Sequence, residues 1–334
     1  MSRFLINCMF AMLLMQNVRA QGVIDVHSHL IPQSYLDYLA QHDALLDEDF
    51  PIPAWNLKSH LSFMDEAGVA CSVLSLPAPQ PYFGDSAESA AIIRKANEEM
   101  ARVKAENPER FLFCAALPLP DVDAAVQEAI YALDSLHADG VKIASNSRGL
   151  YLGDPLLEPL MKVLNDRNAV IITHPHKPSP VNPSLTSVVP LASYEYLAET
   201  TRALLNMVGH NVMLRYPNLK VVVPHCGSFL PLAYPRMKSL MPVMNNVGYL
   251  QGVDIDKNLA SLYYDLAGAP TPDTVKELLT ITTPDHLLYG TDYPYVAAPV
   301  LQKNLGVLRN TLQAIVPDDV ENILINNALN LFKK

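Results

Sequence analysis

The 334-residue chain carries 34 Asp and Glu against 24 Lys and Arg, a formal net charge of −10. Half of its residues are hydrophobic and 17% are charged, which supports a large folded core and excludes a disordered chain. The acidic balance and the lack of any Lys/Arg cluster exclude a nucleic-acid binder, which presents basic surface to phosphates, so the expected ligand is a small molecule.

In chain order, Arg3 precedes an apolar run over residues 4–15, and Val18-Arg19-Ala20 then places small residues at −3 and −1 of a cleavage site. That is the pattern of a secretory signal peptide, and the run is shorter than the roughly 20 apolar residues needed to span a bilayer. Residues 1–20 are therefore expected to be a signal peptide, with an apolar N-terminal extension as the alternative. The first reading sends the protein to the secretory pathway or outside the cytoplasm, and the second leaves it cytosolic. Residues 21–334 are expected to form a single catalytic domain without a membrane segment.

From residue 23 onward, short apolar runs alternate with helix-length segments. The runs cover residues 23–26, 69–76, 111–117, 140–144, 169–173, 219–223, 261–266 and 286–289. Continuous apolar runs of this length suit parallel strands buried on both faces. Helices are expected over 86–106, 121–137, 155–168, 274–280 and 320–332, several opened by an acidic or hydroxyl cap. Eight βα repeats predict an α/β fold, the (β/α)₈ TIM-type barrel, and no GxGxxG follows any strand to favour an open dinucleotide-binding sheet. Two proline-rich stretches, 47–55 and 175–190, are expected to be long irregular loops of the functional kind. The four cysteines include no CxxC pair, and Cys71 and Cys114 sit in apolar runs as small core hydrophobes.

Chemistry enters at the strand ends. The first strand runs into His27-Ser28-His29, and side chains two apart on a strand share a face, so both imidazoles can reach one ion. The fifth strand ends in His174-Pro175-His176, the sixth in His225-Cys226-Gly227, and the eighth in Gly290-Thr291-Asp292. In a (β/α)₈ barrel the carboxyl ends of the strands form the active-site face, so these polar groups are expected to converge.

The motifs VHSHLIP, ITHPHKP, VVPHCGS and LLYGTDYP together resemble the amidohydrolase superfamily, in its aminocarboxymuconate semialdehyde decarboxylase-like branch. The segments MDEAGVACSVLS, ETTRAL, RYPNLKVVVPHCG and YYDLAG are similar to the same branch, and YYDLAGAPTP is most like its 6-methylsalicylate decarboxylase type. The resemblance spans residues 23 to about 332. It implies one divalent ion, zinc with manganese as the alternative, held by His27, His29, His174 and Asp292. It further implies that His225 is an acid/base group beside the ion. Arg236, eleven residues after His225, takes the place of an arginine that grips a substrate carboxylate, in some members across a homodimer interface.

Two departures qualify the resemblance. Lys142 lies in mid-strand, so no lysine at the end of strand four suits a bridging carboxylated ligand, which argues for one ion. His60 stands where the semialdehyde decarboxylase has an arginine. The implied reaction is non-oxidative decarboxylation of a small hydroxyaromatic carboxylic acid such as 6-methylsalicylate. Protonation of the ring carbon, by Asp292 with His225 orienting, would yield a dienone that sheds CO₂. The same residues would also serve a metal-dependent hydrolase of a lactone, ester or amide, which is the alternative function.

Overall fold

The computed structural model describes residues 22–47, 50–181, 189–268 and 270–333. The expected signal segment, residues 1–20, and part of the second proline-rich loop, residues 182–188, lie outside the described residues. Strand β1 (Val23–His29) is followed by helices α1 (Gln33–Gln41) and α2 (Leu57–Ala67), and β2 (Val69–Ser75) by α3 (Ser86–Glu106). Then come β3 (Phe111–Ala116) with α4 (Val122–Asp134), and β4 (Gly140–Ala144) with α5 (Glu158–Asp166). Strand β5 (Val170–His174) precedes α6 (Glu195–Gly209) and the single turn α7 (Val212–Arg215). Strand β6 (Lys220–Val223) leads to α8 (Leu230–Asn246) and α9 (Ile255–Ala260), and β7 (Tyr263–Asp265) to α10 (Pro272–Leu278). Strand β8 (Leu287–Leu288), α11 (Ala298–Ile315) and α12 (Asn327–Leu331) complete the chain.

The eight strands form one parallel sheet in sequence order, each at its expected address. Every residue of β1, β2, β4 and β5 is buried, which is why these strands read as mainly apolar runs without the alternation of a half-exposed strand. Between β8 and β1 the sheet closes through irregular bonds. Val26 N–H donates to the Tyr289 carbonyl (2.9 Å), Asp292 N–H to that of His27 (2.8 Å), and His29 N–H to that of Tyr293 (2.8 Å). Asp25 latches the same seam, accepting from the Thr291 N–H (3.0 Å) and hydroxyl (2.7 Å). The fold is thus the (β/α)₈ barrel.

Helix α3 shows how local sequence fixes an element. Asp85 caps it by accepting from Ala87 and Glu88 N–H groups (2.8 and 3.0 Å). Its buried face is Ile92, Ile93, Ala96, Met100 and Val103, at the three- and four-residue spacing of one helical stripe. Full burial of each large aliphatic contributes about 1.5–3 kcal/mol. The helix expected over 320–332 is irregular instead, with a π-turn at Asn322–Asn326 before α12. Asn327 leaves that turn to donate to the Pro284 and Leu287 carbonyls at the base of β8. The first proline-rich loop holds a small hairpin, Leu46–Asp47 paired with Phe50–Pro51. No described helix is long and apolar enough to cross a membrane, and Cys71, Cys114 and Cys226 are buried thiols.

His60 lies in the core, fully buried. Its Nδ1 accepts from the Trp55 indole N–H (2.9 Å), so Nε2 keeps the hydrogen and meets the Ser28 hydroxyl (3.2 Å). Burial, helped by the charges of His29 and Arg110, pushes its pKa down to about 3 from the usual 6.5. A histidine with a depressed folded pKa contributes stability that is fully present above about 6.5 and is lost as pH falls towards the folded value. The loss runs at about 1.4 kcal/mol per pH unit. Urea unfolding of wild type and His60→Gln across pH 7 to 4.5 is expected to show the wild type losing stability more steeply. Parallel curves would refute this account of His60.

Candidate active site

The carboxyl ends of β1, β5, β6 and β8 bring together the residues singled out in the sequence. One ligand atom each from His27, His29, His174 and Asp292 lie within 4.8 Å of one another. The three imidazoles are buried, and the Asp292 side chain is 22% exposed. Each ring spends its Nδ1 on the protein: His27 on the Asp265 carboxylate (2.8 Å), His29 on the Ser75 hydroxyl (3.1 Å), His174 on the Pro175 carbonyl (3.0 Å). Ser75 donates its own hydrogen to the Ser28 carbonyl (3.3 Å), so it accepts from His29. All three rings therefore leave Nε2 for the shared centre. His27 Nε2 is buried without a hydrogen-bond partner, and His29 Nε2 lies 3.1 Å from Asp292 Oδ1. Three imidazole nitrogens and one carboxylate oxygen converging in this way suit one divalent metal ion.

The electrostatics divide the members of the cluster. Burial raises the Asp292 carboxyl, but the neighbouring His225 ring, the hydrogen bond with His29 and the His27 charge outweigh it and hold it well below the usual carboxylate range. Burial depresses His27, yet the charge and hydrogen bond of Asp265, with Asp292 behind them, raise it to about 9. His29 and His174 have no such buried carboxylate on Nδ1, and burial pushes both down. Gly290 allows His27 its place, because a Cβ there would sit 2.8 Å from the His27 Cβ.

His225 stands beside the cluster rather than in it. Its Nε2 is 3.7 Å from Asp292 Oδ2, and its ring centroid is 5.1 Å from that of His27. The turn that carries it is left-handed, with φ of 55° at His225, 54° at Cys226 and 58° at Ser228. For side chains other than glycine, such backbone costs free energy and is kept where it aims a functional group. Asp265 anchors this turn too, accepting from the His225 N–H (3.0 Å). Its role was not read from the sequence. The one available signal was a carboxylate ending the apolar run of strand seven.

A cavity of about 430 Å³ opens over His174, His225 and Asp292, walled by Phe50, Tyr196, Leu197, Phe229, Tyr295 and Val296. No Lys or Arg lines it among the described residues. A larger hollow of about 990 Å³ lies where the strands begin, at Val170, Lys220 and Tyr263, but no group of candidate metal ligands lies there among the described residues. The carboxyl-end cavity is therefore the site. Arg236 is exposed on α8 and does not line that cavity. Lys142 is buried in the middle of β4, where its charge disfavours protonation of His29 and His174.

Barrel and cluster together define a metal-dependent enzyme whose chemistry sits at the carboxyl ends of the strands. The chain belongs to the amidohydrolase family, whose model matches residues 24–334. It is 30% identical to a decarboxylase from Aspergillus niger, over 93% of this chain and 87% of that protein. It is likewise 30% identical to the 6-methylsalicylic acid decarboxylase of Penicillium expansum, over 81% and 84%. A solved amidohydrolase II structure, 31% identical, superposes with a TM-score of 0.86 over 94% of this chain and 100% of that one.

Proposed function

We propose that the protein is a metal-dependent, non-oxidative decarboxylase of a small hydroxyaromatic carboxylic acid, with 6-methylsalicylate as the reference substrate. One observation carries the reading: a three-histidine, one-aspartate centre shares Asp292 with His225 at the floor of a cavity with aromatic and apolar walls. The similarity to fungal decarboxylases supports it. Three nitrogen donors and one carboxylate favour zinc over manganese.

A bound divalent ion would supply positive charge that offsets the negative charge of an acidic, hydroxylated ring. The protein's own residues do the rest. Phe229, Tyr196 and Tyr295 shape the walls against which a flat ring packs. Asp292 is ionised in the free site, so His225 first passes it a proton across the 3.7 Å contact, and Asp292 then delivers that proton to the ring carbon that bears the carboxylate. That carbon becomes tetrahedral, with its ring a dienone. The C–C bond to the carboxylate then breaks, CO₂ leaves, and the electron pair restores the aromatic ring. Incubating the purified protein with hydroxybenzoates and with lactones tests the reading. CO₂ release with recovery of the decarboxylated phenol is expected. Lactone opening without CO₂ from any acid would replace it with the hydrolase.

Arg236 is assigned to the substrate carboxylate across a homodimer. Leu232 and Val243 on α8 and Val247 at its C-cap, 79%, 55% and 71% exposed, lie 4, 7 and 11 residues from Arg236, the spacing of one helical face. An exposed apolar stripe of that kind fits a second copy of the chain. Arginine's planar fork of donors matches a carboxylate that finds no Lys or Arg in its own cavity wall. Arg236→Ala is expected to lower kcat/KM by about 10- to 150-fold, the equivalent of about 1.5–3 kcal/mol for a charged hydrogen bond, with zinc content unchanged. A value within about twofold of wild type makes Arg236 a surface residue.

A further inference from the structure

We propose that Asp265 decides whether the cluster can take up a metal ion, by fixing which nitrogen of His27 keeps its hydrogen. The inference rests on the reading of the cluster as a metal centre and goes beyond it to a residue outside the ligand set. Asp265 is fully buried at the end of β7, and its two oxygens have different tasks. Oδ1 accepts from two backbone donors, the N–H groups of His225 (3.0 Å) and Ala267 (3.1 Å). Oδ2 faces His27 Nδ1 at 2.8 Å.

Backbone N–H groups can only donate, so the Oδ1 side must always be an acceptor. A metal ion on His27 takes the place of a hydrogen on Nε2, and the neutral ring must then keep its hydrogen on Nδ1. Aspartate accepts that hydrogen. Asparagine, of nearly the same size, cannot. The two backbone donors hold its oxygen on the Oδ1 side, which turns its NH₂ towards His27. In the metal-bound state two donors then face each other 2.8 Å apart in a dry site, whereas the metal-free ring escapes by moving its hydrogen to Nε2. Asparagine therefore preserves the turn that carries His225 and blocks the metal. Alanine leaves two backbone donors unpaired, but it opposes neither tautomer of His27.

The two substitutions separate this role from a structural one. If Asp265 only supports the fold, Asp265→Asn keeps volume and both backbone bonds and binds metal better than Asp265→Ala. If it sets the tautomer, the order reverses. The experiment titrates the full-length wild type and both variants with zinc against a chromophoric chelator, with no substrate present, and records thermal unfolding of the metal-free proteins. The expected zinc affinity falls about 10-fold in Asp265→Ala and at least about 100-fold in Asp265→Asn, against the 10- to 100-fold usual for partners of a metal ligand. Metal-free Asp265→Asn is expected to melt above Asp265→Ala. Asparagine binding zinc as tightly as alanine, or failing to fold, overturns the proposal and leaves the metal-centre reading standing. A wild type that takes up no zinc overturns both.

Discussion

Replacing His27 or His174 by alanine is expected to bring activity to background and zinc content from about one equivalent to below about a tenth. Each supplies one of four converging donors. Three remaining ligands would still bind an ion, but here the loss spreads outward. His27→Ala leaves the buried Asp265 carboxylate without its 2.8 Å partner, and His174→Ala removes the donor that bonds the Pro175 carbonyl. A buried carboxylate stripped of its partner is costly enough to draw in water or a proton and loosen the seat of the remaining ligands. Treating the wild type with a chelator should reproduce the loss, and added zinc should reverse it in the wild type alone. Elemental analysis beside a CO₂ assay makes the check. Full turnover by His174→Ala holding less than a tenth of an equivalent would remove the ion from the reaction.

The strands were legible because a parallel barrel buries both faces of each, so that β2 and β5 appear as mainly apolar runs without alternation. The metal ligands were legible for the complementary reason: His27, His29 and His174 interrupt or end such runs, where a polar side chain needs a partner. Seam closure was not. Strand β8 is only Leu287–Leu288, and the join to β1 runs through the Tyr289 and Tyr293 carbonyls and the Asp25 latch, bonds that leave no periodic trace. Asp265 escaped for a related reason. Its partner His27 lies 238 positions away, and the two meet only because the barrel closes with β8 between β7 and β1. His60, which stands where the semialdehyde decarboxylase has an arginine, is a neutral core histidine wedged between Trp55 and Ser28 and is absent from the cavity wall. A sequence offset cannot tell an inward-facing position at the rim from one buried beneath it.

The sharpest separation within the site is expected from His225→Asn, which should keep its zinc while kcat falls by about two or more orders of magnitude, the usual range for loss of a positioned acid/base. His225 is outside the four-donor group, and its nearest approach to that group is the 3.7 Å contact of Nε2 with Asp292 Oδ2. Its backbone, at φ 55°, is held by the bond from its N–H to Asp265 Oδ1, and asparagine tolerates the left-handed region better than most residues. The turn should therefore survive the substitution, with Cys226 and Ser228 still in the cavity wall. What disappears is a ring nitrogen that can pass a proton to Asp292, which an amide cannot do. On the proposed reading substrate affinity rests on the ion, Arg236 and the aromatic walls, so KM should move far less than kcat. Metal lost in step with activity would make His225 a fifth ligand, and the proton would then have to come from elsewhere in the cavity.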